Sequence, residues 1–188
     1  IVASKVQVLA ARGYINFNLL DHIDIQFGHD KNFWGNGYRS LYLSDYGNSM
    51  FFLKVQTSIW RINYTNLFTE MTATYDRGLD KLLPKKYGAF HHLNFHISHW
   101  LDIGAFEGVI FERDRGFELQ YLNPIIFYRA IEQSLGSPDN SMLGLDFKAN
   151  IARRFQLYGQ FVLDEFNFKQ IVKLNGWWAN KFGIQTGL

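Results

Sequence analysis

The chain contains no cysteine, which excludes a disulfide scaffold, a thiol nucleophile and thiolate metal sites and leaves the compartment open. It carries almost no net charge. Lys and Arg total 19 against 17 Asp and Glu, a balance of +2, and no basic run is present, so no field draws the protein to nucleic acid. No apolar stretch approaches the roughly 18 residues of a membrane-crossing helix. A place in a membrane therefore requires strands closed into a barrel. Proline is scarce, at Pro84, Pro124 and Pro138, so long strands are free to form between these positions. What the chain has in excess is aromatic surface. Phe, Tyr and Trp make up 18% of its 188 residues, a share that suits a large lipid-facing or interface-facing apolar area.

The dominant hydrophobic period is two. Leu143, Leu145, Phe147, Ala149 and Ile151 alternate with Met142, Gly144, Asp146, Lys148 and Asn150. Leu157, Phe161 and Leu163 oppose Tyr158, Gln160 and Asp164, and Leu93, Phe95 and Ile97 oppose His92, Asn94, His96 and Ser98. Such alternation specifies strands with one apolar and one polar face. Strands are expected near 2–11, 22–30, 52–60, 62–74, 90–99, 101–112, 117–122, 141–151, 155–166 and 180–188, with a short helix at 125–135. Trp60-Arg61, 99–101 and 152–154 leave room only for hairpins, whereas 31–50, 75–88, 123–140 and 167–179 are longer. Tight turns at one end and long loops at the other, with strands of about ten residues, are the habit of an up-and-down transmembrane β-barrel. A soluble β-sandwich has the same alternation, but its strands are commonly about 5–6 residues. The expected fold is thus all-β: an antiparallel up-and-down transmembrane β-barrel, or a segment of one, with about ten strands in a single domain over 1–188. The alternating runs at Ile1 and at Leu188 give the expectation of an internal piece of a longer barrel.

Few residues are grouped for chemistry. His91, His92, His96 and His99 suggest a metal cluster on a helix. On a strand, His92 and His96 share a face but stand about 13 Å apart, and are expected to be polar lumen groups. Gly35-Asn36-Gly37 lacks the third glycine and the following helix of a dinucleotide loop, and is expected to be a tight turn with positive φ before another strand. Trp34, Tyr38 and Arg39 beside it are suited either to stacking on a sugar ring and holding an anionic group, or to buttressing a loop. Glu112 and Asp114 are close enough for a glycosidase pair, but sit in a charged turn with Arg113 and Arg115. Asp164 and Glu165 are adjacent and therefore face opposite sides of their strand, which suggests a specific partner for one of them.

Three segments carry a family resemblance. FWGNGYRSLYLSD over 33–45, YLNPIIFYR over 121–129, and Asn140 to Glu165 with its LGLDF and LYGQFVLDEF resemble, in order and spacing, the outer-membrane β-barrels of the Wzi capsule-assembly type and their RemB-type gliding-motility relatives. The matching residues are Trp34, Gly35, Gly37, Tyr38, Arg39, Ser40, Ser44, Asn123, Pro124, Asn140, Asp146, Gln160, Asp164 and Glu165. The resemblance implies a non-enzymatic protein of the Gram-negative outer membrane, without cofactor. Its partners would be the lipid bilayer and a surface polysaccharide or other envelope proteins, in polysaccharide attachment or in motility and secretion machinery. Asn36 stands where the capsule proteins often place Pro, which leans toward the motility relatives. A porin or transport barrel and a soluble carbohydrate-binding β domain are the alternatives.

Overall fold

The computed structural model describes residues 11–72, 84–113, 116–124, 139–164 and 181–188. These form nine strands: β1 (Gly13–Leu19), β2 (Ile23–Asp30), β3 (Met50–Ile59), β4 (Ile62–Thr72), β5 (Lys85–Ser98), β6 (Leu101–Phe111), β7 (Asn140–Ile151), β8 (Phe155–Asp164) and β9 (Lys181–Gly187). They pair in chain order in one antiparallel, up-and-down sheet that is not closed. The fold is all-β, as the alternation predicts. Because β1 and β9 run the same way, these two edges cannot pair antiparallel with each other; a wholly antiparallel barrel closes on an even strand count.

Register explains why alternation is the strongest signal in the sequence. Across β3 to β7, Gln56, Thr65, His92, Phe106 and Gly144 form one cross-strand row, and Asn63, Asn94, Gly104, Asp146 and Gln160 form the next across β4 to β8. These rows build a polar face. The opposite face presents Ile15, Phe17, Phe27, Leu93, Ile103, Leu145, Phe182 and Ile184, all exposed. Leu145, Phe182 and Ile184 are 59%, 69% and 67% exposed, far too open for the inner layer of a sandwich.

The connections sort by end of the sheet. Short turns follow β1, β3, β5 and β7, and long connections follow β2, β4, β6 and β8. Leu20 and Asp21 both have φ of 57°, and Ala152 and Arg153 have 51° and 58°. Two successive positive φ values are the type I′ geometry that matches strand twist. Here sheet pairing imposes it on Leu20, Ala152 and Arg153, which do not favour it.

The structure departs from the sequence reading at several places. β1 is an additional strand. Residues 117–122 are not a strand: Leu119–Leu122 form a 3-10 helix. That turn brings Tyr121 back onto the patch that Phe117 covers, whereas alternate strand residues would be spread along a line. Tyr121 is fully buried with Tyr87, Ala89, Val109 and Phe111 on the otherwise apolar face, and Phe117 packs against the same cluster. β5 starts earlier than expected, at Lys85. No strand follows the Asn36-Gly37 pair; Trp34 and Leu43 make an isolated bridge. The expected strand at 2–11 and helix at 125–135 lie outside the described residues, apart from Ala11, which precedes β1.

Candidate functional site

The loop after β2, residues 31–49, lies across the polar face and is fixed there by both packing and hydrogen bonds. Trp34 meets Phe90 and Phe106 edge-on, with ring centroids 6.5 and 6.0 Å away, and lies 5.6 Å from the His92 ring. Tyr42 stacks on Phe106 at 4.3 Å with an interplanar angle of 3°. Its ring rests directly on Gly144, where any Cβ would collide with it, and its hydroxyl donates to the Phe161 carbonyl at 3.3 Å. Burial first, and the Asp146 charge second, raise the Tyr42 phenol far above its ordinary pKa.

Gln160 holds the loop from β8. Its Oε1 accepts the Leu41 N–H at 2.9 Å, and its Nε2 donates to Ser40 Oγ at 3.1 Å. Ser40 Oγ also donates to the Trp34 carbonyl and accepts the Tyr42 N–H at 3.0 Å. These bonds define the turn through 35–40. Neither Asn36 nor Gly37 has positive φ, contrary to the expected tight turn, because side chains rather than a two-residue hairpin reverse the chain. Gly35 lies beside Ser40 and Gln160, and Gly37 lies against the Tyr158 ring.

Arg39 and Tyr38 turn outward. The Arg39 guanidinium sits 4.4 Å over the Tyr46 ring, and Tyr38 and Tyr46 share a hydroxyl–hydroxyl hydrogen bond. That bond raises the Tyr38 pKa; it lowers the Tyr46 pKa, helped by Arg39. The Arg39 carbonyl accepts from Gln185 Nε2 on β9 at 2.8 Å. Ser44 accepts the Tyr46 N–H at 3.3 Å and shapes the turn there.

Between loop and sheet lies a groove of about 380 Å³. Phe33, Trp34, Gly35, Asn36 and Tyr42 roof it, and Lys54, Gln56, Asn63, Thr65, His92, Asn94, Asp146 and Gln160 are among its floor residues. A second cavity of about 410 Å³ toward the short-turn end contains Arg61, His99 and Asn150. The two share His96, Asp102 and Lys148. Their charges are mostly matched. His92 Nε2 lies 2.8 Å from Asp146, Lys148 Nζ lies 2.7 Å from Asp102, and His96 also bonds Asp102. Gly104 gives the Asp146 carboxylate the space it occupies. Two groove groups stand apart. Lys54 has no carboxylate partner among the described residues and lies 5.8 Å from the Phe52 ring. Asn94 Oδ1 is buried without a hydrogen-bond partner.

The sequence-predicted residues thus divide. Trp34, Gly35, Asp146 and Gln160 meet at the groove, Ser40 bonds Gln160 and the Trp34 carbonyl behind it, Gly37 adjoins them, and Tyr38, Arg39 and Ser44 form its outer shoulder. Asn123 and Pro124 lie on the other face, where the Pro124 carbonyl accepts the Tyr64 hydroxyl. Asn140 and Asp164 sit at the long-connection end of β7 and β8, each with a buried Oδ1 lacking a partner. Glu165 and Asp114 lie outside the described residues, so the Asp164-Glu165 and Glu112-Asp114 pairs are each described only in part. Asp164 faces the polar side, as its register opposite Met142 requires. His92 and His96 share the polar face and His91 takes the other, as the strand reading expects. Tyr42, Lys54, Asp102 and Lys148 were not singled out by sequence reasoning. Their only local signal was a polar or aromatic residue in phase with the polar face.

No family model matches the chain, and comparison with curated proteins and with solved structures finds no match to it either.

Proposed function

We propose that this chain is part of a non-enzymatic outer-membrane β-barrel of the Wzi and RemB type, which binds a surface glycan in the groove beneath loop 31–49. The carrying observation is the opposition of the two faces. One is broadly apolar and exposed; the other is polar, roofed by aromatic rings, and holds two joined cavities. An exposed apolar area of this extent needs a lipid or protein cover. Trp60 and Trp100 at the short turns, 81% and 45% exposed, fit an interfacial aromatic girdle. Aromatic faces beside amides and hydrogen-bonded carboxylates are the chemistry that holds a sugar ring.

Membrane fractionation tests the setting. The protein should stay in the membrane pellet after a carbonate wash; release into the supernatant would sink the barrel reading. Glycan binding is tested by retention of labelled surface polysaccharide on wild-type cells and its loss in Trp34→Ala cells with normal barrel levels. The joined cavities favour one further reading, a conducting pore, and step currents in planar bilayers would support it.

A further inference from the structure

In the sequence, Arg39 is the candidate of this segment for holding an anion, if the segment contacts a ligand at all. Geometry removes it from that role, because its guanidinium lies over the Tyr46 ring on the outer shoulder. Of the two groove lysines, Lys148 is paired with Asp102; the one left without a carboxylate partner among the described residues is Lys54, at the centre of β3. Its neighbours across the ladder are Gln26 and Leu67, and neither neutralises it. The groove carboxylates are engaged elsewhere, Asp146 by His92 and Asp102 by Lys148 and His96. Lys54 is half-buried, so its charge is only partly solvated and a ligand anion there would meet weaker screening than at the surface. On the same floor Asn94 offers a buried carbonyl oxygen with no donor. A buried acceptor left unpaired is costly and is relieved by a hydroxyl. An aromatic roof, a lone cation and an orphaned acceptor call for a ring carrying both an oxyanion and hydroxyl groups.

We infer that the groove is a subsite for an acidic sugar, with Lys54 pairing its carboxylate, Asn94 accepting a ring hydroxyl and Trp34 covering the ring. This rests on the reading of the groove as a glycan site and adds the charge of the glycan to it.

Calorimetric titration of the full chain in detergent with methyl β-glucuronide and methyl β-glucoside tests it, since the two probes differ only in the carboxylate. The glucuronide should bind at least about tenfold more tightly, and the gap should shrink as salt rises. Lys54→Met should abolish the gap by lowering glucuronide affinity toward that of the glucoside; Lys54→Arg should keep most of it. Asn94→Leu should weaken both probes alike. Equal affinities in the wild type, or Lys54→Met weakening both probes equally, would overturn the Lys54 subsite while the groove remained a sugar site. Binding of neither probe would overturn the glycan groove and the subsite together. Lys54-dependent binding of inorganic phosphate without glucuronide binding would overturn the sugar acid in favour of a bare oxyanion site.

Discussion

Two long connections fold back onto the same sheet, on opposite faces, and they are held by different physics. Loop 31–49 lies on the polar face. Four residues carry most of its attachment, Trp34 and Tyr42 through their rings and Ser40 and Gln160 through hydrogen bonds, and it leaves a groove beneath. Residues 116–124, in the connection after β6, lie on the apolar face. Phe117 and Tyr121 pack into the Tyr87–Phe111 cluster, and Arg113 clasps the Asp139 carboxylate through two contacts of 2.7 and 2.8 Å, to which the Tyr121 hydroxyl donates at 2.7 Å. Asp139 raises the Arg113 pKa, chiefly through that hydrogen bonding. Beside this connection, Asn66, His91 and Glu107 form a buried cross-strand row. Polar and ionisable groups are costly to bury on an apolar face unless they are paired, and these three meet one another across the ladder. One connection therefore leaves solvent access and suits binding; the other excludes solvent and suits stability.

That contrast breaks most visibly at Tyr121. Truncation to Ala removes a fully buried ring and the hydroxyl bond to Asp139, and should lower stability by about 3 kcal/mol or more, read as the urea midpoint in detergent. Sugar affinity of the protein still folded should be unchanged. A Tyr121→Ala protein with wild-type stability would show that the second connection is only draped on the sheet.

The converse experiment is Gly144→Val. The added side chain occupies the place of the Tyr42 ring, an overpacking of about 1–3 kcal/mol. Because loop 31–49 is less deeply rooted than the sheet, the strain should be relieved by lifting the loop. Trypsin should then cut at Arg39 at least tenfold faster, with the urea midpoint little moved. A large loss of global stability instead would mean that the loop is part of the folding core.

A smaller effect is expected from Gln160→Leu, which leaves the Leu41 N–H and Ser40 without their partner on β8. About 1–2 kcal/mol of loop attachment should be lost, seen as a several-fold faster cut at Arg39 and a red shift of Trp34 emission.

The sheet was legible in the sequence because period-2 alternation is local. Its hardest strand was β1, although Ile15, Phe17 and Leu19 alternate with Asn16 and Asn18. Its turn at Leu20-Asp21 contains no glycine or proline, so the usual punctuation is missing. Residues 117–122 alternate equally well, yet Phe117 and Tyr121 are needed on one patch, a tertiary demand that local pattern does not carry. The groove follows the same rule. Trp34, Ser40, Asp146 and Gln160 stood out through a family resemblance, whereas Lys54 and Lys148 are ordinary polar-face lysines in the sequence. What separates them is register: Lys148 is placed opposite Asp102, and Lys54 opposite Gln26 and Leu67. Cross-strand partners 13 to 46 residues away decide which charge is neutralised.

Tyr42 sharpens the comparison through pH. Its phenol is buried and titrates well above 10 in the folded loop, whereas in a detached loop it titrates near 10. The attached state therefore holds its proton more tightly. Below pH 10 both states are protonated and attachment is at full strength. As pH rises above 10 the detached state gives up its proton first, and attachment weakens by up to about 1.4 kcal/mol per pH unit. Loop release, followed by Trp34 emission, should begin above pH 10 while the sheet keeps its far-ultraviolet signal. Tyr42→Phe removes this proton and costs only the 3.3 Å bond to Phe161, so its release curve should be flatter at high pH than that of the wild type. Identical alkaline curves would assign the release to other groups, with the exposed Tyr38–Tyr46 pair beside Arg39 the next to test by Tyr38→Phe.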